Sequence, residues 1–117
     1  MLRGQTYDAV CRNFRWDIPT TYNIGVDVCD KWANGKNRLA LIYLGPDEKE
    51  QRFTFEQLKA LSNRLANALK ANAVERGDRI GILLPQCPET LISHIAAYKL
   101  GCIALPLLTL FGPMAIE

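Results

Sequence analysis

Several things are scarce or missing in this 117-residue chain, and each closes off a class of function. Cationic residues are not clustered: 14 Lys and Arg stand against 12 Asp and Glu, for a net charge of +2. No basic stripe with interleaved aromatics occurs, so nucleic-acid binding has no support. The longest nearly apolar runs are Ile80–Pro85 and Cys102–Phe111. Both fall well short of the roughly 20 residues needed to cross a bilayer. Histidine occurs once, at His94, and Cys11, Cys29, Cys87 and Cys102 form no C-x-x-C pair. A zinc site needs closely spaced ligands, so metal binding is not expected; free, buried thiols in a reducing, cytoplasmic compartment fit better. Neither G-x-x-x-x-G-K-[ST] nor G-x-G-x-x-G is present, so no loop is suited to cradling phosphates. Arg3, Arg12 and Arg15 invite a transit-peptide reading of the start, but Asp8 and Asp17 interrupt it.

What is present is an alternation of helix and strand signals. Residues 1–35 read as a helical lead-in. Tyr7, Val10, Cys11 and Phe14 share one helix face, and Pro19 breaks the pattern. Asn23 is placed to cap a second helix with Asp27 in its first turn, a stripe of Gly25, Val28, Cys29 and Trp32, and Gly35 at its end. Residues 38–54 read as a hairpin, with "RLALIYLG" and "RFTF" as strands and "PDEKEQ" as a charged turn. A long helix over 54–73 follows, with Thr54 and Gln57 as a capping box and Phe53 stapled onto Leu58. Leu58, Leu61, Leu65 and Leu69 make its apolar stripe.

Residues 79–107 read as a βαβ unit: strands Ile80–Leu84 and Ile103–Leu107 around a helix over Pro88–Leu100. Leu91, Ile92, Ile95, Ala96 and Leu100 are expected to face inward, with Gly101 closing the helix. Both strands are apolar throughout, as in a parallel sheet buried on both faces. The fold class is therefore α/β: amphipathic helices, a β-hairpin and one βαβ unit of a partly parallel sheet.

Candidates for chemistry are few. Asp47, Glu48 and Glu50 form a charge run that reads as a solvated turn rather than a carboxylate pair. His94 lies mid-helix with no Cys or Ser nucleophile placed beside it. Cys87 stands just before Pro88, where a small residue suffices and a reactive thiolate is the weaker reading. Gly81 reads as a place where another backbone packs closely. One positional argument remains: ligands of open α/β sheets bind beyond the carboxyl ends of strands, which makes Gln86, Cys87, Leu107 and Thr109 neighbours of a possible site. No residue is assigned a catalytic, cofactor-binding or metal-ligating role.

Four stretches, "YNIGVDVCDKWA", "RFTFEQLKALSNRLANALK", "GDRIGILLPQCPETLISHIAAYKLGCIALPL" and "LFGPMAIE", resemble the opening of AMP-forming acyl-CoA synthetases, from Tyr7 onward. "FTFEQL" is similar to the family's [LY]-[ST]-Y-x-x-L motif and "YKLGCIALPL" to L-K-A-G-x-x-x-x-P-[IL]. The ending "PLLTLFGPMAIE" is most similar to the acetyl-CoA and medium-chain branch. The resemblance implies a parent ligase that joins a small carboxylic acid to CoA through an acyl-adenylate, using ATP and Mg²⁺. It implies that these residues form an incomplete N-terminal part of the adenylation domain. The family's phosphate loop, nucleotide-binding segments and catalytic lysine have no counterpart here, so the chain alone is expected to be catalytically silent, a scaffold for the remainder of the synthetase. A stand-alone α/β interaction module derived from such a segment is the alternative. Unpaired strands should make the chain self-associate, with the contact centred on Ile103–Phe111.

Overall fold

The computed structural model describes residues 6–110. Arg3, Phe111 and the rest of the "GPMAIE" stretch lie outside the described residues. Helix α1 (Tyr7–Asn13) begins where the Thr6 hydroxyl accepts from the Ala9 N–H at 3.3 Å, a cap the sequence reading passed over. Its predicted apolar face buries nothing: no residue of α1 is buried, and Tyr7 is 82% exposed.

Helix α2 (Ile24–Val28) starts as expected, with Asn23 Oδ1 accepting from the Val26 N–H at 3.1 Å. It does not run on to Trp32. The backbone leaves helical geometry at Cys29, and a separate 3₁₀ turn covers Asp30–Trp32. The expected stripe therefore splits: Gly25 and Cys29 are buried, while Val28 and Trp32 are exposed. The break sets Asp30 against Lys99 of a later helix, which a continuous stripe did not anticipate.

Strands β1 (Leu39–Leu44) and β2 (Glu50–Thr54) form the predicted antiparallel hairpin, with a bulge between Leu39 and Leu41. Glu50 and Gln51, assigned to the turn from sequence, belong to β2, paired with Leu44 and Tyr43. Helix α3 (Phe55–Ala71) opens on the predicted capping box: Thr54 Oγ1 accepts from the Gln57 N–H at 3.3 Å, and Gln57 Oε1 accepts from the Thr54 N–H at 2.8 Å. Phe53 packs against the cluster of Cys29, Leu58 and Ile95, together with Phe55, Ala40, Leu41 and Ile92.

The buried seam of α3 is Leu58, Ser62 and Ala66, not the leucine ladder, since Leu61, Leu65 and Leu69 are only half-buried. Small residues at i, i+4 spacing let α4 (Pro88–Leu100) approach closely. That helix has the predicted bounds, with Gly101 in the left-handed region at φ 72° closing it. Its buried residues are Pro88, Ile95, Ala96 and Ala97; Leu91, expected inside, is exposed.

Strands β3 (Arg79–Ile82) and β4 (Ile103–Pro106) are parallel, pairing Arg79 with Ile103, Gly81 with Leu105 and Ile82 with Pro106. Each strand is shorter than predicted: Leu83, Leu84 and Leu107 lie past the ends. The expectation of burial on both faces is half met. Ile80, Ile82 and Ala104 turn inward, half-buried or buried, whereas Leu83, Ile103 and Leu105 are exposed. Helix α4 covers one face of this two-stranded sheet, and no described element covers the other. No helix among the described residues is long and apolar enough to cross a membrane.

Candidate functional site

The carboxyl ends of β3 and β4 do converge on a cleft. Leu84, Pro85, Gln86, Leu107 and Thr109 line an open depression of about 580 Å³, with Thr90 and His94 of α4 on its floor. Cys87 opens instead onto a neighbouring depression of about 370 Å³ between α4 and the hairpin, walled by Leu41, Tyr43 and Leu91. Gln86, Thr90 and His94 border both. Three of the four strand-end residues singled out from sequence thus share one cleft, and Cys87 sits next door.

Local geometry explains what each polar group does. Thr90 Oγ1 donates to the Pro85 carbonyl at 2.6 Å, tying the strand-end loop to the first turn of α4. Cys87 Sγ lies 3.5 Å from the same hydroxyl. His94 Nδ1 sits 2.8 Å from the Thr90 carbonyl, which can only accept, so Nδ1 carries the proton. Among the described residues no nucleophile is hydrogen-bonded to this histidine: its Nδ1 is taken by its own helix, and its ring meets Tyr98 edge-on at 6.0 Å. Gly81 is exposed rather than pressed by another backbone. A Cβ there would meet only Leu107 Cδ1, at 3.4 Å. Asp47 and Glu50 pair with Lys49 and Arg52 at the exposed hairpin tip, as a solvated turn should. Among the described residues no cluster of three metal-ligating side chains occurs.

Neither cleft fits a magnesium-bound triphosphate. Among the described residues no Lys, Arg, Asp or Glu lines them, and phosphate charge requires cationic or backbone-lined stabilisation. A further cavity of about 620 Å³ lies at the opposite end of α4, between Thr20–Ile24 and Tyr98–Cys102.

The residue that sequence reasoning missed is Lys99. Its side chain is only 9% exposed, and its ammonium sits between three elements. It lies 2.6 Å from Asp30 Oδ1, an ion pair off the hydrogen-bond direction, and donates to Ser62 Oγ at 2.9 Å and Asn63 Oδ1 at 2.7 Å. Ser62 passes its own proton to the Leu58 carbonyl at 2.7 Å. Asn23 Nδ2 donates to the Lys99 carbonyl at 3.1 Å. Gly25 completes the junction, because a Cβ there would come within 3.0 Å of the Ile95 carbonyl and 2.6 Å of Lys99 Cγ. The signal was a lysine in the last turn of a helix, which reads equally well as a surface charge favoured by the dipole. Burial raises the thiol pKa of Cys29 and of Cys102, so both are held as neutral thiols.

Comparison with known proteins decides the family. The model of the AMP-binding enzyme family matches residues 29–117. The chain belongs to the AMP-binding enzyme family. It is 34% identical over 107 residues to the mitochondrial acyl-coenzyme A synthetase ACSM3 of Rattus norvegicus, covering 86% of this chain and 18% of that protein. It is 33% identical over 125 residues to acetyl-coenzyme A synthetase of Bacillus subtilis, covering 97% and 22%. Among solved structures, the acyl-CoA synthetase of Brucella canis superposes with a TM-score of 0.87 at 33% identity, over 94% of this chain and 22% of that one. The anthranilate CoA ligase AuaEII, solved with anthranoyl-AMP, gives 0.72 at 30% identity, over 86% and 18%. The α/β architecture is thus that of a portion of an adenylate-forming synthetase, and the chain spans about a fifth of the relatives it matches.

Proposed function

We propose that the chain is the N-terminal scaffold segment of an AMP-forming acyl-CoA synthetase acting on a short- or medium-chain carboxylic acid. The observation that carries this reading is the agreement of a family match over residues 29–117 with relatives named acyl-CoA and acetyl-CoA synthetases. The parent would use ATP, CoA and Mg²⁺, and its remaining chain would supply the groups that hold them. Nothing in this chain's clefts suits the nucleotide, so no reaction step is assigned to its residues. Its contribution is positional. The Lys99 junction fixes α2, α3 and α4 together, and α4 in turn carries the β3–β4 sheet. The bare apolar face of that sheet is where later elements of a doubly wound domain would pack. The protonated thiols of Cys29 and Cys102 suit a reducing compartment such as the cytoplasm.

The test has two arms. Purified chain is incubated with Mg·ATP, CoA and acetate, butyrate or octanoate, and AMP is measured; none above buffer is expected. AMP formation by protein free of host synthetase would overturn the scaffold reading. An antibody raised against this segment should detect, in the native source, a species several times the chain's 13.1 kDa. A sole species at 13.1 kDa would favour the stand-alone module.

A further inference from the structure

We infer that the Glu56 carboxylate is an acid-released latch. Charged, it holds the loop 33–38 against the start of α3; protonated, it lets that loop go while α3 and α4 stay packed. The inference concerns contacts inside the described fold and does not depend on the proposed function.

The loop joins the 3₁₀ turn over Asp30–Trp32 to β1 and has little of its own to fix it. Asn34, Gly35, Lys36, Asn37 and Arg38 are all exposed, so burial of apolar surface does not hold them. Among the described residues, no backbone carbonyl accepts from the N–H groups of Asn34, Gly35, Lys36 or Asn37. Those of Gly35 and Asn37 go instead to one atom, Glu56 Oε1, at 3.0 and 3.3 Å. Left-handed backbone at Gly35 (φ 80°) and Asn37 (φ 48°) turns both toward a common anion. Glycine and asparagine adopt that geometry at least cost. At the loop's end the Arg38 carbonyl accepts from the Phe55 N–H at 3.1 Å, which anchors the entry to β1 when the latch opens.

The charge of the acceptor decides the strength of this hold. Hydrogen bonds to an ionised acceptor are roughly twice as strong as neutral ones. Glu56 also stands in the first turn of α3, where the helix dipole favours negative charge. The charged groups on the surrounding elements are Lys36 and Arg38 of the loop, Asp30 and Lys31 of the 3₁₀ turn, Glu50 and Arg52 of β2, and Lys59 of α3; β1 has none. Lys31 pairs with Asp27, Asp30 with Lys99 and Glu50 with Arg52, and among the described residues none pairs with Glu56. Its own backbone N–H, and then those of Gly35 and Asn37, hold its carboxyl below the usual 4.5, with burial opposing. The latch is therefore closed above 4.5 and opens as pH falls through the lowered value.

Helix α3 does not rely on this charge. Thr54 and Gln57 cap it with groups that do not titrate, and its seam of Leu58, Ser62 and Ala66 is packed against α4. Protonation of Glu56 thus frees a hinge between the helical lead-in and the hairpin and leaves the helix pair in place.

Heteronuclear amide NOEs on the full chain, which read picosecond to nanosecond motion, test this. The pH is lowered stepwise from about 7 to about 3, across the window of a lowered carboxyl pKa. Gly35, Lys36 and Asn37 should be as rigid as α3 at the start and lose that rigidity below 4.5, while Leu58, Ala66 and Ala97 keep theirs. Glu56→Gln, neutral throughout, should leave the loop mobile at every pH on an intact α3. Constant loop rigidity across the series, or loss of α3 together with the loop, would overturn the inference. So would a folded Glu56→Gln whose loop stays rigid. Should Glu56→Gln fail to fold, chemical shifts in the wild type decide. The Gly35 and Asn37 amide protons then titrate with the Glu56 carboxyl carbon at one midpoint below 4.5, and separate midpoints exclude the latch. AMP formation by the chain would bear on the proposed function alone.

Discussion

Replacing Lys99 by methionine tests whether the junction of α2, α3 and α4 rests on one buried ammonium. The substitution keeps the aliphatic stem and removes the charge. Asp30, with its side chain 19% exposed, loses its cation partner among the described residues, and Ser62 Oγ and Asn63 Oδ1 each lose a donor. Breaking a buried pair by removing one partner costs about 3–5 kcal/mol, because the other charge stays behind. Partial access of water to Asp30 puts this case near the lower end, at about 3 kcal/mol. At about 4–8 °C per kcal/mol for a domain of this size, the unfolding midpoint should fall by roughly 12–24 °C. Asp30→Leu should be comparably harmful, since it strands the ammonium. The double variant Lys99→Met with Asp30→Leu should recover much of the loss, because no buried charge remains. Urea unfolding of the wild type, the two single variants and the double variant measures the coupling. Single variants within about 0.5 kcal/mol of the wild type, the range of ordinary surface substitutions, would refute the reasoning and return Lys99 to the surface.

Four further outcomes follow from named contacts. Gly25→Ala should cost about 1–3 kcal/mol by urea unfolding, since the added methyl meets the Ile95 carbonyl and Lys99 backbone at 3.0 Å. Thr54→Ala should cost about 1 kcal/mol by removing the acceptor of the Gln57 N–H. Glu56 has its pKa lowered by its own backbone N–H, then by those of Gly35 and Asn37 and the Thr54 hydroxyl, with desolvation opposing. A depressed folded pKa gives stability that is present above the unfolded value of 4.5 and lost as pH falls through the folded one; Glu56→Gln should flatten that acid limb in a pH series of melts. Iodoacetamide should label exposed Cys11 first and leave Cys29 and Cys102 unmodified until the chain unfolds, as read by peptide mass spectrometry.

The elements that were legible in the sequence are those whose ends carry local chemistry. The capping box at Thr54 and Gln57, the Pro88 start and Gly101 stop of α4, and the Asn23 cap each depend on residues three or four positions apart, and each stands where predicted. What was illegible depends on partners far along the chain. Whether Leu61 or Ser62 faces α4 is settled by how closely two helices approach, and the small side chains of Ser62, Ala66, Ala96 and Ala97 set that distance. A hydrophobicity stripe ranks leucine above serine and so points to the wrong line of residues. The break of α2 at Cys29 is similar, because it accompanies an ion pair between positions 30 and 99. At the strand ends, position in the topology grouped Gln86, Leu107 and Thr109 correctly. Cys87, the N-cap of α4, lines the neighbouring depression instead, which no local motif encodes.

The same contrast shows in how this segment uses its polar groups. Its interior resources go to fixing helices: a lysine, an aspartate, a serine and an asparagine meet at one junction between α2, α3 and α4. Its catalytically versatile residues are spent on backbone carbonyls, His94 on Thr90 and Thr90 on Pro85. Groups bonded in this way hold geometry, and only the Nε2 of His94 keeps a free lone pair beside the clefts. Meanwhile the sheet's outer face keeps apolar side chains in water, which a finished parallel sheet does not. The proposed scaffold role would use both features, the fixed helix junction and the uncovered apolar face.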